Sequence, residues 1–267
     1  MTMTLQTDVA DAIARDGYAL VPGALTGAQC AAVNAAIEGC RARPGPTHRV
    51  LSPPGEPKLE SELFRWPDTP AIRAVAMEGA LPRLAAAAFG TDTVILMEDQ
   101  WFLSDAGAGA RSPWHQDHPY HPLEPWFLTI WVALDPPPGP VGLSVARGSH
   151  GGTMYGPVEF SAGDATLGAA RGQLAPVPDI DADPDTWAVV TPDIAAGDAI
   201  AMDSRTLHAA GGNCAAIFRR LSIRYAHPDT RIQPRDWPVA EFWSSHAFAR
   251  DAGARLDPAS FPPIGLA

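Results

Sequence analysis

The sequence predicts a mainly β domain with flanking α-helices, its strands closing into an antiparallel sandwich or barrel. The chain carries 28 prolines and 24 glycines in 267 residues, and helix interiors tolerate neither, so turns, short strands and loops must dominate. From Thr93 onward, short apolar or alternating runs are separated by turn-rich segments, the spacing of an antiparallel β architecture. Helical periodicity is confined to the part before it.

The elements follow in order. Asp8 to Asp16 reads as a helix, Gly17 to Pro22 as a short strand, and Thr26 to Arg41 as a second helix. This second helix is N-capped by Thr26 and carries Cys30, Val33, Ile37 and Cys40 on one face. Pro44 to Pro57 reads as an irregular loop, and Pro70 to Phe89 as a helical stretch that Pro82 breaks and Gly90 ends. Strands are expected at Val94 to Leu103, Phe127 to Leu134, Gly142 to Ala146, Ala199 to Met202 and Arg219 to Ala226. The connection from Gly151 to about Asp193 is too long for a turn and reads either as a lid over a binding site or as a disordered segment. Its acids, Asp164, Asp179, Asp181, Asp183 and Asp185, read as a solvated face.

The length suits one domain over 1–267, with a helical part over about 1–92, a β core over about 93–230 and a C-terminal extension over about 231–267. A formal charge of −11 argues against nucleic acid or an anionic membrane as partner. No apolar run approaches the length that spans a bilayer, and the acidic start does not resemble a signal peptide, so the expected setting is cytoplasmic. Cys30, Cys40 and Cys214 have no metal or disulfide spacing and read as reduced, buried hydrophobes. The expected partner is a small-molecule substrate; nothing in the chain speaks to oligomeric state.

The chemistry is concentrated in Trp114-His115-Gln116-Asp117 and in Asp203 to His208, together H-x-D with a distant His. Residues two apart on a strand share a face, so His115 and Asp117 can turn toward one ion, with His208 arriving from another strand. Two imidazoles and a carboxylate leave adjacent coordination positions open, the arrangement of non-haem iron(II) oxygenases. Zinc competes for such ligands, usually with one open position and hydrolytic chemistry. Arg219, eleven residues after His208 on the next strand, has the planar fork that grips a carboxylate, here that of 2-oxoglutarate. Arg220 is its rival. Neighbours on a strand face opposite sides, so only one of the pair points inward, and Arg224 shares the face of Arg220.

Beyond these motifs, Asp16-Gly17-Tyr18, Pro113 to Tyr120, Ile130 to Asp135, Arg147-Gly148-Ser149-His150 and Gly197-Asp198-Ala199 leading to His208 make the chain resemble the phytanoyl-CoA dioxygenase family. The resemblance covers most of the chain. It implies a double-stranded β-helix (jelly-roll, cupin-like) core, iron(II) on His115, Asp117 and His208, 2-oxoglutarate on Arg219, and O2 as oxidant. It also implies that Gln100 and Trp131 lie near the cosubstrate. Related halogenases lack the iron carboxylate; because Asp117 is present, hydroxylation or a related oxidation of a small-molecule metabolite or natural-product intermediate is expected, releasing succinate and CO2. The arginine strand is one residue short against the family pattern, which leaves Arg219 and Arg220 both open. His118 should face away from Asp117 and serve structure. A zinc-dependent cupin-like hydrolase, or a jelly-roll binding protein without catalysis, are the alternatives.

Overall fold

The helical periodicity before residue 93 becomes four helices in the computed structural model, which describes residues 3–139, 141–158, 160, 173–236 and 251–266. They are α1 (Met3–Asp16), α2 (Gly27–Ala42), α3 (Pro70–Met77) and α4 (Ala80–Phe89). Thr26 caps α2 in a reciprocal box with Gln29, and the expected face of Cys30, Val33, Ile37 and Cys40 is buried. The break expected at Pro82 falls instead at Glu78 and Gly79, where Gly79 has φ 77°. Pro82 lies in the first turn of α4, where its missing N–H leaves no bond unmade.

The main sheet is antiparallel. It runs β1 (Tyr18–Val21), β9 (Ala199–Asp203), β6 (Leu128–Ala133), β11 (Phe218–Ala226), β4 (Thr93–Ser104), β3 (Leu59–Leu63) and β2 (Arg49–Val50), with β13 (Pro263–Gly265) also on β4. Strand β2 lies inside the stretch expected to be irregular, and with β3 it extends the sheet into the N-terminal part. A second sheet has the order β10 (His208–Ala210), β7 (Leu143–Ala146), β8 (Val189–Val190), and a small pair joins β5 (Leu123–Glu124) to β12 (Arg231–Ile232).

The period of two decides what each face of the main sheet does. Ile130, Val132, Ala199, Ala201, Leu221, Ile223 and Tyr225 pack in one cluster with Ile13, Val33, Ile37, Ile72 and Leu84 of the helices. Their alternates, Trp131, Ala133, Ile200, Met202 and Phe218, pack with Leu143 and Val145 of β7. The two sheets therefore close on a shared interior while the helices cover the outer face, which is the expected jelly-roll core. Cys30, Cys40 and Cys214 are free and buried. Among the described residues no helix is long and apolar enough to cross a membrane.

The Gly197-Asp198 motif is a structural joint. Gly197 donates to Ala133 O and accepts from Leu25 N, while the Asp198 carboxylate accepts from Gly23 N and Ala195 N. This ties the start of α2 to the entry of β9. Gly197 has φ 90°, and a Cβ there would lie 2.4 Å from Leu25 O. Gly197→Ala is expected to destabilise the fold by at least about 2 kcal/mol, read as a lowered midpoint in urea unfolding.

Candidate metal centre

His115 and His208 are joined through their backbones before their side chains meet. His115 N donates to His208 O at 3.0 Å, and His208 N donates to His115 O at 2.9 Å. Such a pair sets both side chains on one face, and the ring centroids are 4.1 Å apart. Asp117 arrives differently from the sequence expectation. It lies not on a strand but at the start of a 3-10 turn over His118–Tyr120, with φ −72° and ψ −33°. The turn still delivers the carboxylate: Asp117 Oδ1 is 3.6 Å from His115 Nε2 and 3.8 Å from His208 Nε2. One ligand atom from each of the three side chains lies within 4.8 Å of the others, and all three residues are buried.

Hydrogen bonds choose which nitrogen is offered. His115 Nδ1 is 2.8 Å from Pro113 O and His208 Nδ1 is 2.9 Å from Thr206 O. A carbonyl accepts only from N–H, so the proton sits on Nδ1 and each Nε2 lone pair faces the common point. Burial, with the nearby His115, pushes His208 down to about 4, so its imidazole is neutral at ordinary pH. Burial works to raise the Asp117 carboxyl, but the Arg224 guanidinium outweighs it and holds the group well below the usual range. A donor set of two imidazole nitrogens and one carboxylate oxygen suits a divalent transition metal.

The other oxygen of Asp117 is occupied. Oδ2 accepts from Thr129 Oγ1 at 2.7 Å and from Arg224 Nε at 3.0 Å. Arg224 Nη1 also donates to Glu98 Oε1 at 2.9 Å and to Gln100 Oε1 at 3.2 Å. His121 Nε2 lies 3.1 Å from Glu98 Oε1, and its Nδ1 lies 3.0 Å from Asp117 O. The sequence reading missed this ring. Its one signal was the inward-facing charge at Arg224, on the face shared with Arg220. His118 serves structure as expected, with Nδ1 near Ser204 Oγ and Nε2 near Glu124 Oε1.

The assignment of the cosubstrate carboxylate to Arg219 is corrected. Arg219 lies on the outer face of β11, where its guanidinium donates to Glu38 of α2 and to Asp135. Two acids already pair with it, and it staples α2 to the sheet. Arg220 faces inward and is 3% exposed. Its Nη2 donates to Ser104 Oγ at 3.1 Å, its guanidinium stacks 4.9 Å from the Phe218 ring centre, and its Nη1 has no partner among the described residues. Burial pushes this guanidinium down to about 10, with no carboxylate to offset it. A Cβ on Gly211, just beyond β10, would stand 3.7 Å from Arg220 Nη1, so the open donor looks toward the strand that carries His208. Gln100 and Trp131 both pair in register with Ser222, between Arg220 and Arg224 on the inner face. Gln100 is bonded to Ser61 and Arg224, and Trp131 packs edge-on to Phe218.

The long connection docks on the metal motif through the residues between the ligands. Gln116 donates to Thr153 O and Arg205 O and accepts from Tyr155 N. Tyr120 Oη bonds both Val158 N and Val158 O, and Phe160 stands edge-on to His115 at 4.7 Å. From the far side, Asp181 accepts from Trp114 Nε1 at 2.8 Å and pairs with Arg111. Asp181 therefore anchors the loop, in contrast to the solvated role expected of it. Asp164 and the rest of 161–172 lie outside the described residues. Gln116→Ala is expected to speed hydrogen exchange at the Tyr155 amide by about 10-fold or more, since that N–H loses its acceptor.

The family model of phytanoyl-CoA dioxygenase matches residues 13–221. No curated protein sequence matches the chain. Among solved structures, the epimerase SnoN in complex with Fe3+, alpha ketoglutarate and nogalamycin RO is 21% identical, with TM-score 0.76 over 98% of this chain and 99% of that one. The carbocyclase SnoK from nogalamycin biosynthesis is 19% identical, with TM-score 0.72 over 96% of this chain and 95% of that one. AviO1 from Streptomyces viridochromogenes Tue57 is 20% identical, with TM-score 0.64 over 88% of this chain and all 100% of that one. With the family match spanning most of the sequence and the fold shared end to end, the chain belongs to the phytanoyl-CoA dioxygenase family, and through it to the iron- and 2-oxoglutarate-dependent enzymes.

Proposed function

We propose that His115, Asp117 and His208 hold one iron(II) ion, that Arg220 holds the far carboxylate of 2-oxoglutarate, and that the enzyme hydroxylates or otherwise oxidises a small-molecule natural-product intermediate. The observation that carries the cosubstrate assignment is the Nη1 of buried Arg220, which has no partner among the described residues. A buried cation without an anion is costly to keep, and a carboxylate with two oxygens is the group that relieves it. The solved relatives support the substrate class, since SnoN and SnoK belong to nogalamycin biosynthesis. Three buried free thiols and the strongly acidic chain support a cytoplasmic setting without nucleic acid or membrane partners.

Iron with its cosubstrate and O2 supplies the oxidising power, with succinate and CO2 as coproducts. The chain supplies placement. The Nδ1 hydrogen bonds to Pro113 and Thr206 fix the planes of both imidazoles, so their Nε2 atoms stay aimed without side-chain motion. Trp131, Phe218 and the aliphatic residues of β7 and β9 keep the cosubstrate end of the interior dry. Tyr120 and Phe160 flank His115 on the side of the docked loop, where a substrate carbon is brought to the centre.

Anaerobic titration with iron(II) and 2-oxoglutarate tests this, read by the weak visible charge-transfer band that the metal and a bound 2-oxo acid give together. The band is expected in the wild type and absent from His115→Ala and His208→Ala; its absence from the wild type, with tight zinc binding instead, overturns the proposal in favour of a hydrolase or a binding protein. Arg220→Ala is expected to raise the 2-oxoglutarate concentration for half-saturation by about 10- to 100-fold, one lost charge-assisted pair. Arg219→Ala is expected to leave that concentration within about threefold of wild type and to lower stability by about 1 kcal/mol through the lost tie to α2.

A further inference from the structure

We infer that Arg224 and Thr129 are positioning residues that restrict Asp117 to one metal-facing oxygen and thereby keep a third coordination position open for the reaction. The inference rests on the ligand assignment above and adds to it how the carboxylate is used.

A carboxylate can hold a metal through one oxygen or through both. With two imidazoles already in place, a two-oxygen Asp117 occupies four of six octahedral positions and leaves two. A 2-oxo acid chelating through its keto and carboxyl oxygens takes both, and no position remains for O2. One-oxygen binding leaves three, which suffices for cosubstrate and oxygen together.

The interior is built to enforce the second arrangement. Oδ1 faces the two Nε2 atoms, whereas Oδ2 takes a hydroxyl donor at 2.7 Å and a guanidinium donor at 3.0 Å. Turning Oδ2 toward the metal requires both bonds to break inside a closed interior, where Thr129 is 1% and Arg224 7% exposed. Nor is Arg224 free to follow. Its Nη1 is held by Glu98, Glu98 by His121, and His121 by the main-chain oxygen of Asp117 itself. The ring thus begins at the side chain of Asp117 and returns to its backbone, fixing the carboxylate at both ends. Strand register makes this possible, because Arg224 stands opposite Thr129 on β6 and opposite Glu98 on β4.

The test separates metal binding from cosubstrate binding in Thr129→Val, Thr129→Ser and Arg224→Lys. Valine keeps the shape of threonine without its donor, serine keeps the donor, and lysine keeps a charge for Glu98 but cannot span both acids. Iron(II) affinity is expected to stay within about threefold of wild type in all three. Half-saturation by 2-oxoglutarate, read by the charge-transfer band, is expected to rise about 10-fold or more in Thr129→Val and Arg224→Lys and to stay near wild type in Thr129→Ser. X-ray absorption of the iron-loaded Thr129→Val protein before cosubstrate is added is expected to show the same number of light-atom ligands as wild type but a carboxylate carbon closer to the metal, the mark of two-oxygen binding.

Unchanged 2-oxoglutarate binding in Thr129→Val and Arg224→Lys overturns the inference, as does loss of iron itself in step with cosubstrate, which marks the ring as scaffold only. Failure of the wild type to bind iron through His115 and His208 is a separate result and overturns the ligand assignment instead.

Discussion

The reciprocal backbone pairing of His115 with His208 is the constraint on which the rest of the site depends. Two main-chain hydrogen bonds bring together segments far apart in sequence and set their imidazoles side by side. They form because β10 lies in the small sheet facing the main one, so the arrangement of sheets precedes the arrangement of ligands. The joint at Gly197 and Asp198 and the helices packed on the outer face hold the main sheet in the shape that closes over this pair.

Within that closed interior, charge is distributed in a definite way. Arg224, Asp117, Glu98 and His121 pair with one another, Glu98 through Oε1 alone, whereas Arg220 has no acid partner among the described residues. Burying charged groups is costly unless they are paired, so the paired ring and the unpaired guanidinium have different meanings. The ring balances its charges internally. The lone guanidinium is aimed across the barrel toward the strand of His208, the feature on which the proposed role of Arg220 rests. The alternation of β11 separates these inward roles from Arg219, whose position on the outer face spends its charge on Glu38 and Asp135.

The docked connection adds a further division of labour. Ligands His115 and Asp117 face the centre, while Gln116 between them and Tyr120 just after them hold the segment around Thr153 to Val158. One short motif therefore supports both the metal-binding atoms and the wall beside them. That wall is aromatic, which fits a bulky organic substrate more readily than a small ion.

Much of this was legible in the sequence, because it depends on local rules. The apolar spacing and Thr26 cap gave α2, alternation gave the main strands, and the H-x-D with its distant His picked out the three side chains that the fold brings together, since imidazole and carboxylate are recognisable as donors wherever they fold. Local rules also placed Arg220 and Arg224 on one face and Arg219 on the other. What they could not decide was which face is the interior, because that depends on which side the helices cover and which side meets the second sheet. Nor could spacing reveal that Gly79 rather than Pro82 breaks the helical stretch, as a proline is harmless or disruptive according to its place in the turn. The partners of Arg219, the burial of Arg220 against Ser104 and Phe218 and the ring behind Asp117 all follow from how strands and helices pack, fixed by register and burial, and only the tertiary structure decided them.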